Sequence, residues 1–241
     1  MHAQSPFGLA GGIDRKRLRV DYQRNGHVRI DPFLTDAAAY ALIGHLAARK
    51  EDWRIVLNSG EKVFEIDHTA AAAMNVAQHT ALDNAVQEAA RHGFQFRYSA
   101  IRVPDAAEAR VRSAHLLDSF VAFLSSPATL DLIRFITGQD AIAFADGQAT
   151  RYCGGDFLTA HDDDVAGKNR HAAYVLGLTE QWRAEWGGLL LFHHDDGGLS
   201  CTTPAFNTLD LFRVPQLHSV SYVAPSAGAS RTSVTGWFRS A

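Results

Sequence analysis

"LTAHDDDVAGKNRHAAYVLGL", residues 158–178, decides how the second half of this chain is read. It opens with a histidine followed by three aspartates, crosses a Gly-, Lys- and Asn-containing loop, and enters the apolar, β-prone segment 170–178. Two readings compete. Either His161-x-Asp163 is half of a metal site at a strand start, where residues i and i+2 point the same way, or it is only a charged turn ahead of a strand.

The surroundings favour strands. From about residue 141 the chain consists of short apolar runs: "AIAFADGQATRYC" (141–153), "RHAAYVLGL" (170–178), "GGLLLFH" (187–193), "TLDLFRV" (208–214), "HSVSYVA" (218–224) and "RTSVTGWF" (231–238). Gly, Asp, Asn and Pro separate them. Closely spaced runs of this kind predict a sandwich or barrel.

The first half, about 1–140, reads as mainly helical support packed on that barrel core (about 141–241), the whole 1–241 forming one domain. "KRLRVDYQRNGHVRI" (16–30) alternates about Asn25-Gly26 and predicts a hairpin. In 31–49, Thr35 or Asp36 caps a helix with Ala39, Leu42, Ile43 and Leu46 on one face. "WRIVLNSGEKVFEI" (53–66) predicts two strands, residues 70–93 one helix ending at Gly93, and 112–139 two helices broken near Ser126-Pro127. The segment 59–72 is a candidate lid.

Bulk properties exclude some classes. A net charge of -3 over 241 residues favours neither nucleic acid nor an anionic membrane. Two cysteines imply no disulfide framework and suit a reducing compartment. The leading residues lack the apolar core of a signal peptide, and no run approaches the roughly 18 apolar residues of a spanning helix. The expectation is a cytoplasmic protein. Most of the twelve histidines read as ordinary: His45, His79, His92 and His115 fall on helix surfaces.

A non-haem Fe(II) site needs two imidazoles and a carboxylate on one face, leaving the other open. H-x-D alone is weak evidence, and the chain holds three: His161–Asp163, His193–Asp195 and His194–Asp196. The last two end in Gly197-Gly198 and read as an exposed hairpin tip. His161 and His218 lie 57 positions apart, with room for intervening strands. His161, Asp163 and His218 are therefore the expected triad. Thirteen residues later, Arg231 shares a strand face with Ser233. A buried guanidinium needs an anion. A dicarboxylate would serve, and so would an internal Asp156 or Asp210.

Taken together, "RYCGGDFLTAHDD" (151–163), "GGLLLF", "HSVSYV" and "RTSVTGWF" resemble the Fe(II)- and 2-oxoglutarate-dependent dioxygenases of the prolyl 4-hydroxylase group. The resemblance is greatest to the catalytic domain of eukaryotic ribosomal-protein prolyl hydroxylases. It covers roughly residues 150–240. It implies a double-stranded β-helix, a jelly-roll or cupin-like barrel. It implies Fe(II) on His161, Asp163 and His218, 2-oxoglutarate on Arg231 with Tyr152 and Ser233 beside it, and Thr235 and Trp237 lining the substrate pocket, with no catalytic residue beyond the metal ligands. O₂ is consumed, and ascorbate is admitted as a reductant. The implied reaction hydroxylates a prolyl residue in a protein or peptide, a ribosomal or translation protein among the candidates, forming succinate and CO₂. A free amino acid or other small-molecule substrate, or a non-catalytic metal-binding sensor, stays open. One departure stands out. The family's tyrosine that also contacts the far carboxylate falls at Gly177, and Tyr222 is a candidate replacement.

Overall fold

The computed structural model describes residues 6–113 and 115–241. Among these, the chain forms α1 (Arg15–Asn25), β1 (His27–Ile30), α2 (Asp36–Ala48), β2 (Arg54–Ser59), β3 (Lys62–Ile66), α3 (His68–Ala73), α4 (Val76–Ala90), β4 (Phe96–Arg102), α5 (Ala107–Arg112), α6 (Leu116–Leu124) and α7 (Pro127–Thr137). Nine further strands follow: β5 (Phe144–Ala145), β6 (Gln148–Tyr152), β7 (Phe157–His161), β8 (Arg170–Leu178), β9 (Leu190–His193), β10 (Leu199–Thr202), β11 (Phe206–Arg213), β12 (His218–Val220) and β13 (Arg231–Arg239).

Each of the described strand pairings is antiparallel. The main ladder runs β1-β11-β8-β13-β6-β4-β7-β12-β9-β10, with β2 also on β4, β3 on β2 and β5 on β13. Both β11 and β13 flank β8, and β12 bridges β7 and β9. This is the double-stranded β-helix that the resemblance implied, with helices packed on one face.

Strand parity sorts the side chains, because successive residues point to opposite faces. Outward residues of β8 (Ala172, Tyr174, Leu176), β11 (Leu209, Leu211) and β13 (Val234, Phe238) join α2 (Leu42, Leu46), α6 (Phe120, Leu124) and α7 (Ile133, Ile136) in the main buried cluster. Burying a side chain of this size stabilises by about 1.5–3 kcal/mol, so this layer holds the fold. Residues of the other parity, Ala173, Val175 and Phe212, gather with Leu190, Phe192 and Trp237 inside the barrel. The register Phe212↔Ala173↔Trp237 places three of them side by side.

The front half departs from expectation in three places. Residues 15–25 are a helix rather than the first arm of a hairpin. Asp14 caps its start by accepting from the Arg17 N–H, and Gly26 closes it at φ 74°, returning its N–H to the Tyr22 carbonyl. The Asn25-Gly26 pair is thus a left-handed helix stop, and Arg15 and Arg19 stack on Phe135 of α7. Second, residues 70–93 form no single helix. Asn75 accepts from the Gln78 N–H while the Gln78 side chain accepts from the Asn75 N–H, a capping box that starts α4 and separates it from α3. Third, the half is not simply helical: β1 pairs with β11, and β4 fills the gap between β6 and β7, satisfying edges that would otherwise stay open. The strands at 53–66 and the break at Ser126-Pro127 are as expected, and the helix begins after Thr35, whose side chain makes no capping hydrogen bond.

Among the described residues no single helix is long and apolar enough to cross a membrane; α6 and α7 pass that test only as a pair bent by 52°.

Candidate metal centre

His161 is the last residue of β7, and His218 the first of β12; the two are direct partners across that ladder. Their rings lie 4.2 Å apart between centroids. Asp163 joins them by a different route from the one expected. The strand has already ended, so an i, i+2 alignment along it does not apply. Asp163 sits instead at φ 65°, a left-handed conformation that Asp tolerates. The Asp162 carboxylate accepts from the Asp164 N–H and tightens the same turn. The result folds Asp163 back: its two oxygens lie 3.4 Å from His161 Nε2 and 3.5 Å from His218 Nε2. One donor atom from each of the three residues falls within 4.8 Å of the others. Bonds of about 2.1 Å at right angles require donors roughly 3 Å apart, so one small divalent ion fits between them.

The ring orientation suits this use. His161 Nδ1–H donates to the Thr159 carbonyl at 3.1 Å, and His218 Nδ1–H to the Gln216 carbonyl at 2.7 Å. Each backbone oxygen fixes a tautomer that leaves Nε2 as a lone-pair donor. Burial, reinforced by the neighbouring His161, pushes the His218 pKa down to about 4. Burial alone would raise the Asp163 carboxyl; the two imidazoles outweigh it and hold it below the ordinary range. At neutral pH the cluster is therefore a carboxylate beside a neutral His218.

That shift carries a stability prediction. A histidine that titrates near 6.5 when unfolded and near 4 when folded binds fewer protons in the native state across that window. Stability is complete above pH 6.5 and is lost as the pH falls toward 4, by roughly 3 kcal/mol in total. Urea unfolding of the metal-free protein at pH 7 and pH 4.5 measures this, and His218→Gln should flatten the difference.

Arg170, absent from the expected site, braces the turn. Its Nη1 donates to the Asp163 carbonyl at 3.0 Å, and its guanidinium stacks 3.5 Å over the Trp237 ring. Outer partners of this kind are typically worth 10–100-fold in metal affinity. Arg170→Ala is expected to weaken Mn(II) binding by about that factor, read by calorimetric titration, with circular dichroism reporting a retained fold.

A cavity of about 700 Å³ opens beside the triad, between the two layers of the barrel. Tyr152, Arg231, Thr235 and Trp237 line it, as does Tyr98. Ser233 does not; it faces a small recess below, its hydroxyl 2.9 Å from Thr150 Oγ1. Arg231 is 4% exposed, lies over the Tyr152 ring at 5.1 Å, and leaves Nη1 buried without a hydrogen-bond partner. Neither internal aspartate forms an ion pair with it, although Asp210 lies near enough to favour its charge. Asp156 pairs with Arg97, and Asp210 takes a two-pronged contact from Arg29. An orphaned guanidinium at the base of a cavity is costly unless an anion arrives. The donor set and this base thus fit a metal ion with an anionic companion.

Residues 147–239 match the 2OG-Fe(II) oxygenase superfamily. The superfamily match spans β6 through β13 and so includes the triad and Arg231. No curated protein matches the chain in sequence. Solved structures share its fold at low identity. A prolyl-4-hydroxylase from Pseudomonas putida is 20% identical with a TM-score of 0.59, covering 94% of this chain and 99% of that one. A prolyl hydroxylase from Trichoplax adhaerens, solved with a hypoxia inducible factor oxygen degradation domain peptide fragment, is 17% identical with a TM-score of 0.58, covering 94% and 89%. The non-heme alpha ketoglutarate dependent epimerase SnoN from nogalamycin biosynthesis is 15% identical with a TM-score of 0.57, covering 94% and 83%.

Other expected residues fall elsewhere. His193 ends β9, while His194, Asp195 and Asp196 belong to the turn between β9 and β10, and none of the four lines the cavity. Tyr222 is 46% exposed and lines neither the cavity nor the recess that holds Gly177 and Ser233, so it does not stand in for a side chain at 177. Tyr174 is spent on the helical side, donating to the Asp146 carbonyl at 2.8 Å. Tyr98 escaped sequence reasoning although the alternation Phe94-x-Phe96-x-Tyr98 marks a strand; it packs 5.3 Å from Tyr152.

Proposed function

We propose that this protein is an Fe(II)- and 2-oxoglutarate-dependent oxygenase that hydroxylates a prolyl residue in a peptide or protein. One observation carries the reading: two imidazoles and a carboxylate converge in the same cavity whose base holds a buried guanidinium lacking an anion.

His161, Asp163 and His218 would hold the metal, and Arg231 with Tyr152 the 2-oxoglutarate. When bound, this pair supplies oxidative decarboxylation to succinate and CO₂ coupled to oxygen insertion into an unactivated C–H bond. The chain's own residues do the rest. Arg231 meets the far carboxylate through a charge-assisted fork that fixes the cosubstrate's direction. Burial pushes the Tyr152 phenol well above its ordinary pKa, so it stays a neutral donor. Ala173, Val175, Phe212 and Trp237 keep water from the reacting end.

The mouth supports a peptide substrate. Val63, Phe94 and Val165 line the opening yet are each about half exposed, apolar groups that a bound chain would cover. Val63 belongs to β3, inside the segment proposed as a lid. Charges at the mouth are mixed, with Asp162 and Asp164 beside Lys168. A small-molecule substrate is the second reading, favoured by the likeness to the epimerase. Conversion of 2-oxoglutarate to succinate by the Fe(II)-loaded protein tests the reaction class. A gain of one oxygen mass on prolyl peptides separates the two substrates. Absence of succinate under all conditions would leave a metal-binding sensor.

A further inference from the structure

We propose that Thr208 is the second contact, beside Arg231, for the far carboxylate of the cosubstrate. The inference rests on the oxygenase reading and names the group that acts where the chain has Gly177.

The register across three strands is Thr208↔Gly177↔Ser233, so these residues stand side by side on the inward face. Gly177 contributes no side chain, and none fits: a Cβ there would lie 2.3 Å from the Ala205 carbonyl oxygen. That same position is 3.2 Å from Thr208 Oγ1. The threonine hydroxyl therefore reaches the space where a side chain at 177 would begin.

Below the main cavity lies a recess of about 10 Å³, lined by Gly177, Thr208, Asp210 and Ser233, and sharing Val175, Leu190 and Arg231 with the cavity above. That is about the space of one water, so a single oxygen of a ligand seated in the cavity above fills it. Most of its polar groups are committed. Ser233 pairs with Thr150, Thr179 donates to the Thr232 carbonyl, and Asp210 receives Arg29 and Thr202. Two buried donors remain unpartnered, Arg231 Nη1 and Thr208 Oγ1, the latter on a residue only 2% exposed. Burying either without a partner is unfavourable. A carboxylate has two oxygens and accepts from both, so one anionic head satisfies a hydroxyl and a guanidinium together.

The test is calorimetric binding to the full chain loaded with Mn(II), which requires no turnover. Thr208→Val keeps the shape and removes the hydroxyl. Its dissociation constant for 2-oxoglutarate is expected to rise about tenfold, whereas Thr208→Ser should stay within about threefold of the parent. Affinity for 2-oxobutyrate, which lacks the far carboxylate, should be the same in Thr208→Val and parent. Thr208→Ala serves the same comparison if the valine variant does not fold. Unchanged 2-oxoglutarate affinity in the hydroxyl-free variant, or an equal loss for both acids, overturns the role of Thr208 alone. A parent protein that binds no 2-oxoglutarate overturns the oxygenase reading and this inference with it.

Discussion

Arg231→Lys is expected to bind 2-oxoglutarate about 100-fold more weakly than the parent. The side chain is 4% exposed at the base of the cavity, over the Tyr152 ring, with one nitrogen unpartnered. Burial works against its charge, and the neighbouring Tyr152 and Asp210 offset that only in part. Lysine keeps the charge but replaces a planar fork with a point donor on a flexible stem. Losing one arm of a desolvated charge pair costs about 3 kcal/mol, which is the factor stated. Titration of Mn(II)-loaded variant and parent reads it directly. Equal affinities would remove Arg231 from the cosubstrate site.

Asp163→Ala should weaken metal binding by more than about 100-fold. Removal of an outer partner alone costs 10–100-fold, and here the loss is the sole carboxylate between two imidazoles. Asp195→Ala is the matched control: it removes an acid from another H-x-D, in the exposed turn after β9, and should leave the affinity unchanged. If the two variants behave the other way round, the metal belongs at that turn. Calorimetry with Mn(II) under anaerobic conditions distinguishes the cases.

What the chain disclosed before folding follows from the range of the forces involved. Alternation is local, so β8, β11 and β13 were legible, and with them the shared face of Arg231 and Ser233. The pairing of His161 with His218 was legible through the order of the strand-like runs and the facial-triad pattern, with the resemblance beside them, because no local pattern specifies a partner 57 residues away. The turn at Asp163 carries no local signature for a related reason: a left-handed residue looks like any other until its neighbours hold it, here through Arg170 and the Asp162 side chain. Asn25-Gly26 shows the converse. The pair encodes positive φ, which both a hairpin and a helix stop can use, and packing of Arg15 and Arg19 on Phe135 chose between them. The fate of Asp156 and Asp210 depended on Arg97 and Arg29, each more than fifty positions distant.

Strand parity in β8, β11 and β13 gives the barrel a wall one residue thick, with scaffold on one side and chemistry on the other. Positions such as 173, 175 and 237 can therefore be repopulated without disturbing the helices behind them, since the odd and even registers answer to different neighbours. Acceptance of new substrates and retention of foldability are separately adjustable in such a molecule, strand by strand.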